Sequence, residues 1–216
     1  MKLRLAAAFV AGSVALAAAP SVSAHFILMQ PKGWIEENQL GDPQKLGPCG
    51  GVSTDPGKAT GVVTEVPGGE LLKLKVQETI YHPGHFRVAL AVLDRKELPV
   101  DPEDVTKDGP HGPLSVSAKV DANPKPPVIV DGFWDHHVRQ PRQVFDTYVH
   151  IPNINCDHCT LQVIQFMEEH PVNKDGRFTY HHCADLKIVA NPRLPIDAGW
   201  PGQGKAKKAK AKAKKA

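Results

Sequence analysis

The chain has 216 residues, 41% of them hydrophobic and 23% charged, and a formal net charge of +3. That balance excludes a disordered polyelectrolyte, and no run of about 20 apolar residues exists to form a membrane-spanning helix. The charge is uneven: setting aside the seven lysines of residues 205–216, together with Lys2 and Arg4, leaves residues 25–204 at −6.

Residues 1–24 have the three parts of a secretory signal peptide. Lys2 and Arg4 make a basic start, an apolar run occupies 5–19, and Val22-Ser23-Ala24 is a small-residue cleavage site. The apolar run is too short to span a bilayer, so the mature protein is expected to be soluble and either secreted or periplasmic. Cleavage after Ala24 would leave about 190 residues beginning at His25, enough for one domain with a true core. A terminal histidine offers a metal its α-amine and its imidazole Nδ1 together, closing a small chelate ring.

Beyond His25, short runs of β character recur at 71–80, 86–93, 114–120, 144–151, 160–167 and 186–189. Several alternate apolar with polar residues, as in Leu72-Lys73-Leu74-Lys75-Val76 and Leu161-Gln162-Val163-Ile164-Gln165. Pro67-Gly68-Gly69, His82-Pro83-Gly84, Asp108-Gly109-Pro110 and Asp175-Gly176 punctuate them as turns. The pattern predicts an all-β fold over residues 25–190, an immunoglobulin- or fibronectin III-like antiparallel β-sandwich with long decorating loops. Residues 30–59 and 123–127 read as such loops. A Pro/Gly-rich linker occupies 191–204. The Lys/Ala stretch 205–216 has no apolar face and reads as a disordered tail that would bind an anionic polymer or envelope surface, or merely add solubility.

Cys49, Cys156, Cys159 and Cys183 in an exported chain are expected to form two disulfides, for which three connectivities exist. The Cys156-Asp157-His158-Cys159 spacing also suits a redox or zinc site, but the compartment and the lack of a second such pair argue against zinc. Of the 11 histidines, His111, His136, His137, His150, His158 and His170 read as ordinary surface or hydrogen-bonded residues. The tandem pair at 136–137, directly after Trp134-Asp135, would also suit a second metal site or a substrate-facing loop. His82 and His85 differ because they bracket a tight turn that opens a strand. A turn histidine approaching His25 would complete a T-shaped set of three nitrogens, a near-planar ligation that suits copper.

On these residues the chain resembles the lytic polysaccharide monooxygenases, and more closely the bacterial proteins described as polysaccharide monooxygenase-like. The landmarks are His25, Cys49-Gly50-Gly51, His82-Pro83-Gly84-His85-Phe86, Cys159-Thr160-Leu161-Gln162 and Tyr180-His181-His182-Cys183-Ala184-Asp185-Leu186, which together span residues 25–189. The resemblance implies a histidine brace around one copper ion, with His25 giving its amine and Nδ1 and His82 the third nitrogen. His82 precedes His85 as the candidate because its H-x-G setting before a strand fits the family. His85 is then expected beside the ligands rather than on the metal. Tyr180 would be the axial residue, and Gln165 the polar side chain near bound oxygen. His181 and His182 depart from the better-known patterns, and His182 would stand in for a polar group behind the ligands. The resemblance also favours pairing Cys49 with Cys183 and Cys156 with Cys159.

In function, the resemblance implies an exported copper enzyme, expected as a monomer, that uses O2 or hydrogen peroxide and an external electron donor to cleave a polysaccharide oxidatively. Trp34 and Trp134 are candidate contacts to the polymer, or else packed side chains. The alternatives are a non-catalytic copper-binding protein for acquisition or delivery, and an envelope-interaction module in which the histidines are incidental. Having only Met1, Met29 and Met167 weakens a Cu(I)-carrier form of the first alternative.

Overall fold

A computed structural model of the chain describes residues 25–203, so the signal-peptide and Lys/Ala-tail readings lie outside the described residues. Ten strands succeed one another: β1 (His25–Gln30), β2 (Val63–Pro67), β3 (Leu71–Ile80), β4 (Gly84–Ala91), β5 (Asp104–Gly109), β6 (Gly112–Ala118), β7 (Val128–His136), β8 (Val144–His150), β9 (Cys156–Met167) and β10 (Thr179–Val189). A single 3₁₀ turn, Arg95–Glu97, interrupts them. The fold is all-β, as the alternation predicts.

A three-stranded sheet in the order β1-β3-β8 packs on a five-stranded sheet in the order β2-β10-β9-β4-β7, and β5-β6 form a separate hairpin. The antiparallel β-sandwich expected from the sequence is the fold observed; among the strand pairs only β2 with β10, at the sheet edge, run parallel. Strand period two builds the core between the sheets. From β3, Leu72, Leu74 and Val76 point inward against Phe86, Val88 and Leu90 of β4, Leu161 and Val163 of β9, and Ala184, Leu186 and Ile188 of β10. β4 is buried along its whole length. Its other face carries Ala89 and Ala91 against Leu98 and the Cys49–Cys183 bridge, which is why it lacks the alternation of a half-exposed strand.

The two disulfides are Cys49–Cys183 and Cys156–Cys159. The first ties the long loop after β1 to β10 across 134 residues. That loop and residues 123–127 carry no strand, as expected. Residues 191–203 carry no strand either, but they lie against the sandwich. The Asn153 amide N–H donates to Asp197 Oδ2 at 2.7 Å, and Trp200 packs on the core. Among the described residues no helix is long and apolar enough to cross a membrane.

At one end of the sandwich the inward rows change character. On β3 the row Leu72, Leu74, Val76 ends at Glu78, which is 2% exposed. On β9 the row Leu161, Val163, Met167 is interrupted by Gln165, which is wholly buried. His182 of β10 and His136 of β7 are buried here as well, and His25 opens β1. A core normally excludes such groups unless each is hydrogen-bonded.

Candidate metal centre

His25 is 5% exposed, and its Nε2 lies 3.0 Å from Asp42 Oδ2. The hydrogen bond from His25 holds the Asp42 carboxyl below its ordinary range, against burial and with help from the His25 and Lys45 charges. An ionised carboxylate only accepts, so Nε2 of His25 is the donor in this contact. The ring meets Tyr180 edge-on at 5.3 Å. Tyr180 in turn faces His170 at 6.4 Å, and His170 faces His82 at 4.7 Å. Four rings thus run continuously from His25 to His82.

His82 is 5% exposed, and both of its ring nitrogens are buried with no hydrogen bond of normal geometry. The backbone of Glu168 still lies close enough to favour a proton on the ring, as do the charges of Glu78 and Glu169. Burial outweighs them and lowers the His82 pKa, and the His25 charge acts in the same direction. A neutral imidazole with a buried lone pair and no firm partner is what a metal ligand requires. Gly84 makes the turn possible: its φ is +146°, and a Cβ there would stand 2.0 Å from the Phe166 carbonyl oxygen. Any side chain at this position would push the His82 turn off β9.

Beside these two histidines sits a buried carboxylate network centred on Glu78. Glu78, whose side chain is wholly buried, accepts hydrogen bonds from His136 Nε2 at 3.1 Å and from the amides of Gln143 and Gln165. Burial works against a proton on His136. The Glu78 bond and charge, with the carbonyls of Trp134 and His82, outweigh it and raise the pKa. Gln165 lies opposite Tyr180 across β9 and β10, and its Oε1 is buried without a partner. His170 N–H donates to Ser115 Oγ at 3.0 Å, and its Nδ1 lies 2.5 Å from the Pro171 carbonyl. His136 and His170, expected as ordinary residues, are thus hydrogen-bonded and belong to this buried end.

His85 stands on the other face of β4, opposite Phe166 and near the charges of Asp131 and Asp135, with its pKa lowered by burial. The fold therefore brings His25, His82, Tyr180 and Gln165 to one end and leaves His85 apart from them. His182 is buried behind β1, where its Nε2–H donates to the Phe26 carbonyl at 2.9 Å. Its Nδ1 lies 3.2 Å from Glu37 Oε1. Burial lowers the His182 pKa to about 4, against the pull of the Phe26 carbonyl. Burial also raises Glu37 to about 7, against the charge of Lys32 and the Leu28 backbone. The pair is therefore a neutral imidazole beside a protonated acid up to near-neutral pH.

Trp34 and Trp134 are both engaged in packing. The Trp34 indole N–H donates to the Cys49 carbonyl at 2.6 Å, beneath the Arg95 guanidinium. Trp134 packs edge-on to Phe86 and tilted against Phe133 and Phe145. A cleft of about 1120 Å³, lined by Trp34, Cys49, Arg95 and Leu98, has no histidine in its lining. A smaller one of about 620 Å³ is lined by Asp42 and Glu37. Among the described residues, no group of three or more His, Cys, Asp or Glu side chains is placed to hold a metal ion. A brace of one amine and two imidazoles asks for only two such side chains.

No family model matches the chain, and no curated protein matches it in sequence. Among solved structures it is similar to the lytic polysaccharide monooxygenase AA15 from Thermobia domestica in the Cu(I) state. The TM-score is 0.46 and the identity 15%, over 76% of this chain and 99% of that chain. The likeness is distant.

Proposed function

We propose that the protein is an exported mononuclear copper protein in which His25, freed by cleavage after Ala24, and His82 form a histidine brace that serves oxidative cleavage of a polysaccharide. The observation that carries this reading is His82: two buried ring nitrogens with no firm hydrogen bond, one ring row away from a histidine whose far nitrogen is already held by Asp42. His25 would bind through its amine and Nδ1, and His82 through one ring nitrogen. When bound, copper supplies one-electron chemistry toward O2 or hydrogen peroxide, fed by an external electron donor.

The chain's own residues have definite tasks in this account. Tyr180, wholly buried and edge-on to the His25 ring, would shield the bound metal from water on the side it covers. Glu78 accepts from the Gln165 amide and so fixes its orientation, leaving Oε1 buried and unbonded on the residue that pairs with Tyr180. His82 is held neutral by its burial and is ready to bind without first losing a proton.

The test is incubation of the copper-loaded, processed protein with chitin, cellulose and related polymers, a reductant and peroxide. Oxidised oligosaccharides absent from a His82→Ala control support the reading. Tight binding of one copper without products would instead define a protein of copper acquisition or delivery. No copper binding at all would overturn both and leave an envelope module.

A further inference from the structure

We propose that Asp42 is a positioning residue that fixes the tautomer of His25 and so selects Nδ1 as its metal-binding nitrogen; this rests on the copper-brace reading of the site. The α-amine and Nδ1 of one histidine close a six-membered ring on a metal, whereas Nε2 lies too far around the ring to join the amine. A brace therefore forms only if Nδ1 carries the lone pair. Asp42 Oδ2, 3.0 Å from Nε2, takes the proton's side of the ring and leaves Nδ1 to the metal. A carboxylate on the far nitrogen also makes the bound nitrogen a stronger donor.

The loop around Asp42 is built to hold this contact. Asn38 Oδ1 accepts from the amides of Leu40 at 2.8 Å and Asp42 at 3.0 Å, and the Asn38 amide donates to the Asp42 carbonyl at 2.9 Å. Gly41 has a φ of +101°, and a Cβ there would lie 1.9 Å from the Phe26 carbonyl oxygen, so the loop can press on β1 only with glycine at this point. Gln44 Oε1 accepts from the Phe26 amide at 3.1 Å. Thr79 Oγ1 lies within hydrogen-bonding distance of both the His25 and the Leu40 carbonyls, at 3.1 and 2.7 Å. The residues on either side of Asp42 are thus fastened to His25 and to the residue after it. Nothing in the packing of the core requires a carboxylate here, since Asp42 is half-buried at the lip of the cleft it shares with Glu37.

The test compares the processed protein with Asp42→Ala and Asp42→Asn, each checked for an unchanged thermal unfolding midpoint. Cu(II) affinity is measured by competitive calorimetry, and the remote imidazole nitrogens by pulsed EPR. The expected result is a loss of about 10- to 100-fold in affinity for Asp42→Ala. Asp42→Asn, which can still accept the bond, should fall in between. In both, the remote-nitrogen signal of one imidazole should change. Wild-type affinity and unchanged remote-nitrogen signals in both variants would overturn the proposal while leaving the brace intact. A metal-free arm separates the two ideas: ¹⁵N–¹H NMR should show a His25 Nε2–H protected from exchange in the wild type and exposed in Asp42→Ala. A proton found on Nδ1 would overturn the role of Asp42 whether or not copper binds.

Discussion

Replacing Glu37 with glutamine should stabilise the protein at alkaline pH and leave it unchanged at acid pH. Burial raises the Glu37 carboxyl from its ordinary 4.5 to about 7. At about 1.4 kcal/mol per pH unit, ionising it inside the fold costs about 3 kcal/mol more than ionising it in the unfolded chain. The fold keeps a proton that the unfolded chain has lost, so this group's contribution falls as pH rises from 4.5 to about 7 and stays low above that. His182 has the opposite sign. With its pKa lowered from 6.5 to about 4, it contributes stability that is lost as pH falls from 6.5 toward 4. Between about 4.5 and 6.5 the two slopes cancel, because folded and unfolded chains each hold one proton on the pair. Glutamine keeps the shape and puts an amide N–H where the protonated acid has its O–H, 3.2 Å from His182 Nδ1, but cannot ionise. Urea unfolding monitored by tryptophan fluorescence should therefore give equal stabilities near pH 4.5. At pH 8 Glu37→Gln should be more stable by about 3 kcal/mol. A variant that is less stable than wild type at pH 8 would refute the reasoning, since it would mean that Glu37 is ionised and gains from its neighbours.

Gly84→Ala should destabilise the fold by at least about 2 kcal/mol in the same unfolding assay, because the new Cβ would collide with the Phe166 carbonyl from a left-handed backbone. Glu78→Gln should drop the His136 pKa below its ordinary 6.5, since burial would then act without the opposing carboxylate; an NMR titration of the His136 ring reads this directly. Leu74→Ala, at a wholly buried core position, should cost about 2–5 kcal/mol by urea unfolding and leave copper binding unchanged.

How far the sequence reaches depends on what each strand buries. β3 is legible to its last residue because one face meets the core and the other meets water, so lysines alternate with leucines. β1 is not legible, since His25-Phe26-Ile27-Leu28-Met29 shows no alternation and is too short to separate from any other apolar run. β2 is an edge strand ending in Pro67, and β7 carries Gly132 at a φ of +66°, both of which read as breaks. β5 has no buried residue to mark it, whereas β6 is legible from Leu114 onward in the run 114–120.

The candidate site divides in the same way. The resemblance singles out Gln165, and Glu78 could have been found by extending the inward row of β3 by one more step, where a buried polar residue signals a site. His136 and His170 could not, because only the order of strands brings β7 and the turn after β9 to the end of β1. Asp42 sits in a loop 17 residues from its histidine with no local pattern to announce it. Sequence resemblance supplied the cysteine pairs, and both disulfides are those it implies.

The central claim is that the terminus made by cleavage after Ala24 is itself a copper ligand. Copper calorimetry with EPR on protein beginning at His25, beside the same protein keeping one extra residue ahead of it, tests this most directly. The account predicts one tightly bound Cu(II) with an all-nitrogen spectrum in the first, and marked loss of both affinity and spectrum in the second. Equal affinity and identical spectra in the two would contradict it.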